Sequence, residues 1–181
     1  MKTLCLMRHA KSEWTGHVEN DAARDHDRGL TPRGIRAART MATYMADNKL
    51  VPDLALCSTA VRARLTLDAL VELLATRHQN GSRLPVRYSR ALYFTSPERI
   101  LHEIHGVDDG VDRLLVVGHN PDTQAVAVQL AGDPQQPDTR AMAAKFPTAA
   151  LAVLTFDVKC WRGVNRGGGR LAAFIQPKTL G

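Results

Sequence analysis

Apolar and polar positions along this chain fall into short blocks whose period keeps changing. Residues 4–7, Leu-Cys-Leu-Met, form a continuous apolar run of strand length that stops at Arg8-His9. The next twenty residues are polar ("ENDAARDHDRG") and read as a long loop, a kind of segment that often carries function in compact domains. A helix follows from "LTPRGIRAARTMATYMADNKL", with Thr31 as cap, Pro32 in the first helical position, and Ile35, Ala38, Ala42 and Met45 on one face. "PDLALCS" (52–58) reads as a second strand. "AVRARLTLDALVELLATRH" (60–78) reads as a helix with Val61, Leu65, Leu70, Leu73 and Leu74 on one side, broken by "QNGSRLP". "VRYSRALY" (86–93) is a third strand, and "SPERILHEIHG" (96–106) a shorter helix capped by Ser96.

The clearest buried strand is 114–117, Leu-Leu-Val-Val, which ends in Gly118-His119 and is followed by a helix over 122–132. Two last strands, 149–158 and 170–177, are joined by a Gly-rich basic loop, "KCWRGVNRGGGR" (159–170), read as a solvated hairpin loop. Strands alternating with helices predict an α/β fold, a three-layer α/β/α sandwich with a mostly parallel central sheet. The last pair has no helix between its members and predicts an antiparallel hairpin at one edge. Neither a repeat nor a linker divides the chain, so one domain over 1–181 is expected.

Composition narrows the class. Apolar residues make up 44 % of 181 and charged residues 23 %, as in ordinary globular proteins. No apolar run approaches the roughly 20 residues that span a bilayer, and the start of the chain lacks a secretory signal. Three cysteines without motif spacing read as reduced thiols of a cytoplasmic protein. The net charge of +6 suits an anionic substrate or a nucleic acid. With only two Trp, three Tyr and four Phe and no stacking motif, nucleic acid is the weaker reading.

Candidate chemistry sits at three strand ends. The first delivers Arg8 and His9, the second leads through Cys57-Ser58-Thr59 to Arg62, and the fourth delivers His119. Ligand sites in open α/β sheets lie beyond the carboxyl ends of the strands. Two histidines and two arginines at one rim suit phosphoryl transfer. Guanidinium forks match phosphate oxygens, and a neutral imidazole can act as nucleophile. Other routes fail on spacing. A cysteine phosphatase loop needs five residues between Cys and Arg, yet the position required after Cys57 holds Ala63. A Walker loop is absent, and "HEIH" (102–105) has its histidines three apart where a zinc protease helix needs four. No metal and no cofactor are expected.

Those residues carry a resemblance. "LMRHAKSEW" is similar to the Arg-His signature of the histidine phosphatase superfamily, with Ala10 where many members have Gly. "CSTAVRARLT" resembles its second-arginine segment and "VVGHNP" its second-histidine segment. "RHAKS", "DRGLTPRG", "GHNP" and "KFPTAALAVL" resemble, more narrowly, the SixA-type phosphohistidine phosphatases. The resemblance implies a phosphoglycerate mutase-like fold, with His9 as nucleophile and Arg8, Arg62 and His119 holding the phosphoryl oxygens. Adjacency adds Ser12 and Asn120 as substrate contacts. Larger members protonate the leaving oxygen with a carboxyl group from the segment between the second arginine and the second histidine. Glu98 in "YFTSPERIL" is the candidate there, with Glu13, Glu19 and Asp21 in the long loop as alternatives. A histidine leaving group needs such an acid less than an alkoxide does, because imidazole binds a proton near neutral pH. The expected activity is therefore that of a phosphohistidine phosphatase acting on a protein. The alternatives are a small-molecule phosphomonoesterase and a basic anion-binding module.

Overall fold

The computed structural model describes residues 1–13, 25–75 and 84–180. Its six strands are β1 (Lys2–Arg8), β2 (Leu54–Ser58), β3 (Val86–Ser89), β4 (Arg113–Gly118), β5 (Leu151–Phe156) and β6 (Arg170–Ile175). Its helices are α1 (Pro32–Asp47), α2 (Val61–Ala75), α3 (Pro97–His105), α4 (Asp122–Leu130) and α5 (Pro137–Ala144). All six strands join one sheet in the order β3-β2-β4-β1-β5-β6. β1, β2, β3 and β4 pair in parallel; β5 runs against β1, and β6 against β5. The expected hairpin thus forms the edge, and the strand opposing all others lies one place in from it.

Crossover handedness sorts the helices into layers. The chain steps from β1 to β2 to β3 in one direction, then back to insert β4 between β1 and β2. Right-handed crossovers in opposite directions put their helices on opposite faces. Accordingly Cys5, Met7, Cys57 and Val117 pack against Met41 and Met45 of α1 and Leu67 and Leu70 of α2. Leu4, Leu6, Leu56 and Val116 pack against Ile104 of α3, Val126 and Leu130 of α4 and Met142 of α5. The two-residue period of each strand supplies both faces from one apolar run.

The predicted helix faces needed correction. Ile35 is 36 % exposed and Met41 is buried in its place; Leu65 is 39 % exposed. In α2 the inward face begins with Arg62 and Thr66, both buried, so its apolar stripe is rotated from the one that leucine spacing suggested. The strand expected over 86–93 stops at Ser89, whose side chain accepts from Ala91 N and opens a 3₁₀ turn, Arg90–Leu92. α5 went unpredicted, although Pro137 in its first turn is a start signal. Residues 76–78 of the predicted second helix lie outside the described residues.

The Gly-rich loop is not simply solvated. Trp161 and Val164 are buried, and the indole N–H donates to Val111 O at 2.8 Å. Gly169 passes so close to Phe156 that a Cβ there would lie 2.7 Å from its ring. The loop closes one end of the core by packing against α4, whose Gln129 and Leu130 carbonyls accept from Gly167 and Gly169.

Candidate active site

Sheet register builds the site. Arg8 pairs with Gly118 and Met7 with Val117, which also pairs with Cys57. Three parallel strands therefore end level, so His9, His119 and Ser58 emerge side by side at the carboxyl rim. The ladder runs one step further, with His9 N donating to Gly118 O at 3.0 Å. Arg62 arrives from the first turn of α2. Its carbonyl accepts from Thr66 Oγ1 at 2.6 Å, and the same hydroxyl accepts from Ala10 N at 2.9 Å. That shared hydroxyl ties the histidine loop to the arginine helix.

The His9 ring is oriented by Ala10, whose carbonyl lies 2.7 Å from Nδ1. A carbonyl can only accept, so Nδ1 carries the proton and Nε2 presents its lone pair. Arg62 Nε donates to that Nε2 at 3.3 Å. The His119 ring lies with its centroid 5.0 Å from that of His9, tilted by 53°. Ser58 Oγ accepts from Ala60 N and sits 2.7 Å from His119 Nε2. With the Ser58 proton directed to Nε2, His119 Nδ1 becomes a donor, and it is buried with no hydrogen-bond partner among the described residues. Arg8 donates from Nη1 to Phe146 O at 2.9 Å, while its Nε is likewise buried without a partner among the described residues. Arg62 Nε thus faces the nucleophilic nitrogen, and Arg8 Nε and His119 Nδ1 are buried donors at the ends of the neighbouring strands.

Both imidazoles are neutral at physiological pH. Burial is the main cause, since it penalises the charged form. For His9, the Ala10 hydrogen bond opposes this, but the charges of Arg62, Arg8 and Arg28 add to it, and the pKa falls to about 3. For His119, burial is reinforced by His9, Arg62 and Arg8 against the pull of Asp25, and the pKa also falls to about 3.

A carboxylate that sequence reasoning missed completes the arrangement. Asp25 Oδ2 accepts from Arg62 Nη2 at 3.0 Å and from Tyr93 Oη at 2.8 Å, Oδ1 pairs with Arg28 Nη2 at 2.7 Å, and the Asp25 carbonyl accepts from Arg62 Nη1. Burial alone would raise the Asp25 pKa; the Tyr93 hydrogen bond and the Arg62 and Arg28 charges outweigh it and hold the pKa low. Burial and Asp25 together push the Tyr93 phenol up to about 12. Asp25 thus grips the outer edge of the Arg62 guanidinium and leaves Nε turned toward His9. Its signal was present as the acid and arginine three apart in "DHDR", inside the loop read as functional. Nothing in that spacing pointed to Tyr93, which stacks edge-on to His119 at 5.5 Å.

The other expected residues divide. Asn120 reaches the cluster, since its Nδ2 donates to Phe146 O, the carbonyl that Arg8 also uses. Ser12 forms an isolated backbone bridge with Leu30, and its hydroxyl enters none of the cluster's hydrogen bonds. Glu98 is not brought to the cluster. It is an exposed first-turn residue of α3, its carboxylate 3.0 Å from Arg166 Nη2 on the Gly-rich loop. Hydrogen bonds from its own backbone N–H and from Ser96, then the Arg166 charge, lower its pKa, so it has no proton to donate near neutrality. Glu13 meets this network through its backbone, its carbonyl accepting from Arg28 and its N–H donating to Gly29 O. Glu19 and Asp21 lie outside the described residues. Among the described residues, no group of three or more His, Cys, Asp or Glu side chains could hold a metal ion.

Comparison with known proteins gives the family. The profile of the histidine phosphatase superfamily (branch 1) matches residues 4–85. A structure of the candidate phosphohistidine phosphatase SixA from Nakamurella multipartitia superposes with a TM-score of 0.80, at 32 % identity over 97 % of this chain and 96 % of that one. Its counterpart from Agrobacterium tumefaciens gives 0.75, at 30 % identity over 97 % and 98 %. An uncharacterized Mycobacterium tuberculosis protein is 38 % identical over 95 % of this chain and all of its own length. The chain belongs to the histidine phosphatase superfamily, which makes its class that of a phosphatase working on phosphate-bearing substrates. Within that superfamily its sequence and its phosphoglycerate mutase-like fold group it with the SixA-type proteins.

Proposed function

We propose that this protein is a phosphohistidine phosphatase that needs no metal and works through a covalent phosphoryl group on His9. The observation that carries the reading is the His9 ring itself. It is neutral, fixed through Nδ1 by the Ala10 carbonyl, and presents Nε2 to the Arg62 guanidinium, with the His119 ring 5.0 Å away between centroids. In the first step His9 Nε2 forms a bond to phosphorus as the phosphorus–nitrogen bond of the substrate breaks in line. The departing imidazole keeps the electron pair and takes up a proton from solvent. In the second step water attacks phosphorus, the His9 bond breaks, and inorganic phosphate leaves. Arg8, Arg62 and His119 stabilise the equatorial oxygens, whose charge changes most in the transition state. Asn120, tied to the Phe146 carbonyl that also holds Arg8, lines the approach.

The carboxylates favour this substrate class. Asp25 and Glu98 are both held ionised, so neither can protonate an alkoxide. A phosphoramidate leaving group needs that help least. One sheet carrying every described strand supports a single domain over 1–181, and the free cysteines support a reducing, cytoplasmic setting. No helix among the described residues is long and apolar enough to cross a membrane.

The test is rapid mixing with a labelled phosphohistidine peptide and a quench in alkaline denaturant, in which phosphoimidazoles survive. Label on the His9 peptide, lost in His9→Ala, is the expected result. Faster turnover of alkyl phosphates than of phosphohistidine would reassign the protein as a small-molecule phosphomonoesterase.

A further inference from the structure

Beside the cluster lies an open pocket of about 270 Å³ whose charged lining is entirely basic: Lys11, Arg33, Lys145 and Lys178, with Thr148 and Gln176 between them. Four separate segments meet there: the turn after His9, the first turn of α1, the end of α5, and the 3₁₀ turn Pro177–Thr179 after β6. All four cations are exposed, and none makes an ion pair among the described residues. Like charges gathered without counter-charges repel one another, and an anionic partner relieves that cost.

The pocket is joined to the reaction centre by backbone. Lys11 lies two residues beyond His9, and its carbonyl is fixed by Thr31 N and Thr31 Oγ1. The wall from Lys145 to Thr148 contains the Phe146 carbonyl that holds Arg8 and leads into Ala149, whose N–H donates to both the Arg8 and His9 carbonyls. An anion in the pocket would therefore rest on the same backbone segments that position Arg8 and His9.

We infer that this basic pocket docks an acidic segment of a protein substrate next to its phosphohistidine, an inference that rests on the function proposed above. A peptide fits better than a nucleotide or a second small phosphate. No aromatic ring lines the pocket to stack a base, and its charges are long solvated side chains instead of buried, fixed donors. Such a surface sets partner choice and encounter rate more than it holds a small ligand.

Two phosphohistidine peptides of the same length, flanked by glutamates in one and glutamines in the other, test this with wild type and the Lys145→Glu/Lys178→Glu variant. Wild type should favour the glutamate peptide about tenfold in kcat/KM at low salt and lose that preference as screening rises. The variant should abolish the preference while turning over the glutamine peptide as wild type does. Equal use of both peptides by wild type, or a preference that survives charge reversal, would overturn the inference. A fluorescent, unphosphorylated glutamate peptide read by anisotropy gives an answer independent of chemistry. Weaker binding by the variant, and by a neutral Lys145→Gln/Lys178→Gln control, supports docking; equal binding refutes it. Failure to hydrolyse either phosphopeptide would instead strike the phosphohistidine reading, and anisotropy would still decide the pocket.

Discussion

Acidification should cost this protein several kcal/mol of stability through His9 and His119, well before its carboxylates protonate. Both residues are buried, 7 % exposed, and both have pKa values lowered from 6.5 to about 3. The unfolded chain regains ordinary imidazoles. Below pH 6.5 it binds two protons that the native state refuses, so stability falls with falling pH and levels off only near the folded values. One pKa unit corresponds to about 1.36 kcal/mol, so at pH 5 each ring costs about 2 kcal/mol, and the pair about 4 kcal/mol, relative to pH 8. With a urea slope near 2 kcal/mol per molar, the denaturation midpoint should drop by about 2 M. The assay is urea unfolding at pH 8, 6.5 and 5 in phosphate-free buffer, because an anion bound to the native site would stabilise it by mass action. His119→Gln should halve the drop. A midpoint unchanged between pH 8 and pH 5, or ring-proton NMR titrations of His9 and His119 near 6.5, would refute the claim that burial and the arginines keep both rings neutral.

Other expectations concern individual contacts. Arg62→Ala should lower kcat by about a thousandfold, as loss of a transition-state donor does, with the fold intact by circular dichroism. Asp25→Asn removes the charge that grips Arg62 and Arg28 and should reduce kcat about tenfold or more; Asp25→Glu should restore part of the rate if Arg62 positioning is the cause. Glu98→Gln should leave turnover of a phosphoramidate within about twofold, since an exposed ion pair contributes little. Gly34→Ala would place a Cβ 2.2 Å from Lys11 O, so it should cost about 2 kcal/mol or more, seen as a thermal midpoint several degrees lower.

The apolar runs at 4–7 and 114–117, the Thr31-Pro32 start of α1 and the order Arg8-His9, Arg62, His119 were all legible in the linear chain, because strand period, capping chemistry and strand-end position are local properties. So was the choice of an α/β sandwich, which follows from alternation. Asp25, Arg28 and Tyr93 were not legible as one network, since no local rule brings residues 68 positions apart onto one carboxylate. Nor was the inward turn of Arg62 and Thr66, where an apolar stripe yields to polar groups that pay for burial with hydrogen bonds. Only the sheet order, which inserts β4 between β1 and β2, decided that His9, Ser58 and His119 share one rim. Only that burial decided their charge: a histidine in the sequence is a residue of ordinary pKa, and it becomes a neutral nucleophile here because three guanidinium groups and a desolvated pocket surround it.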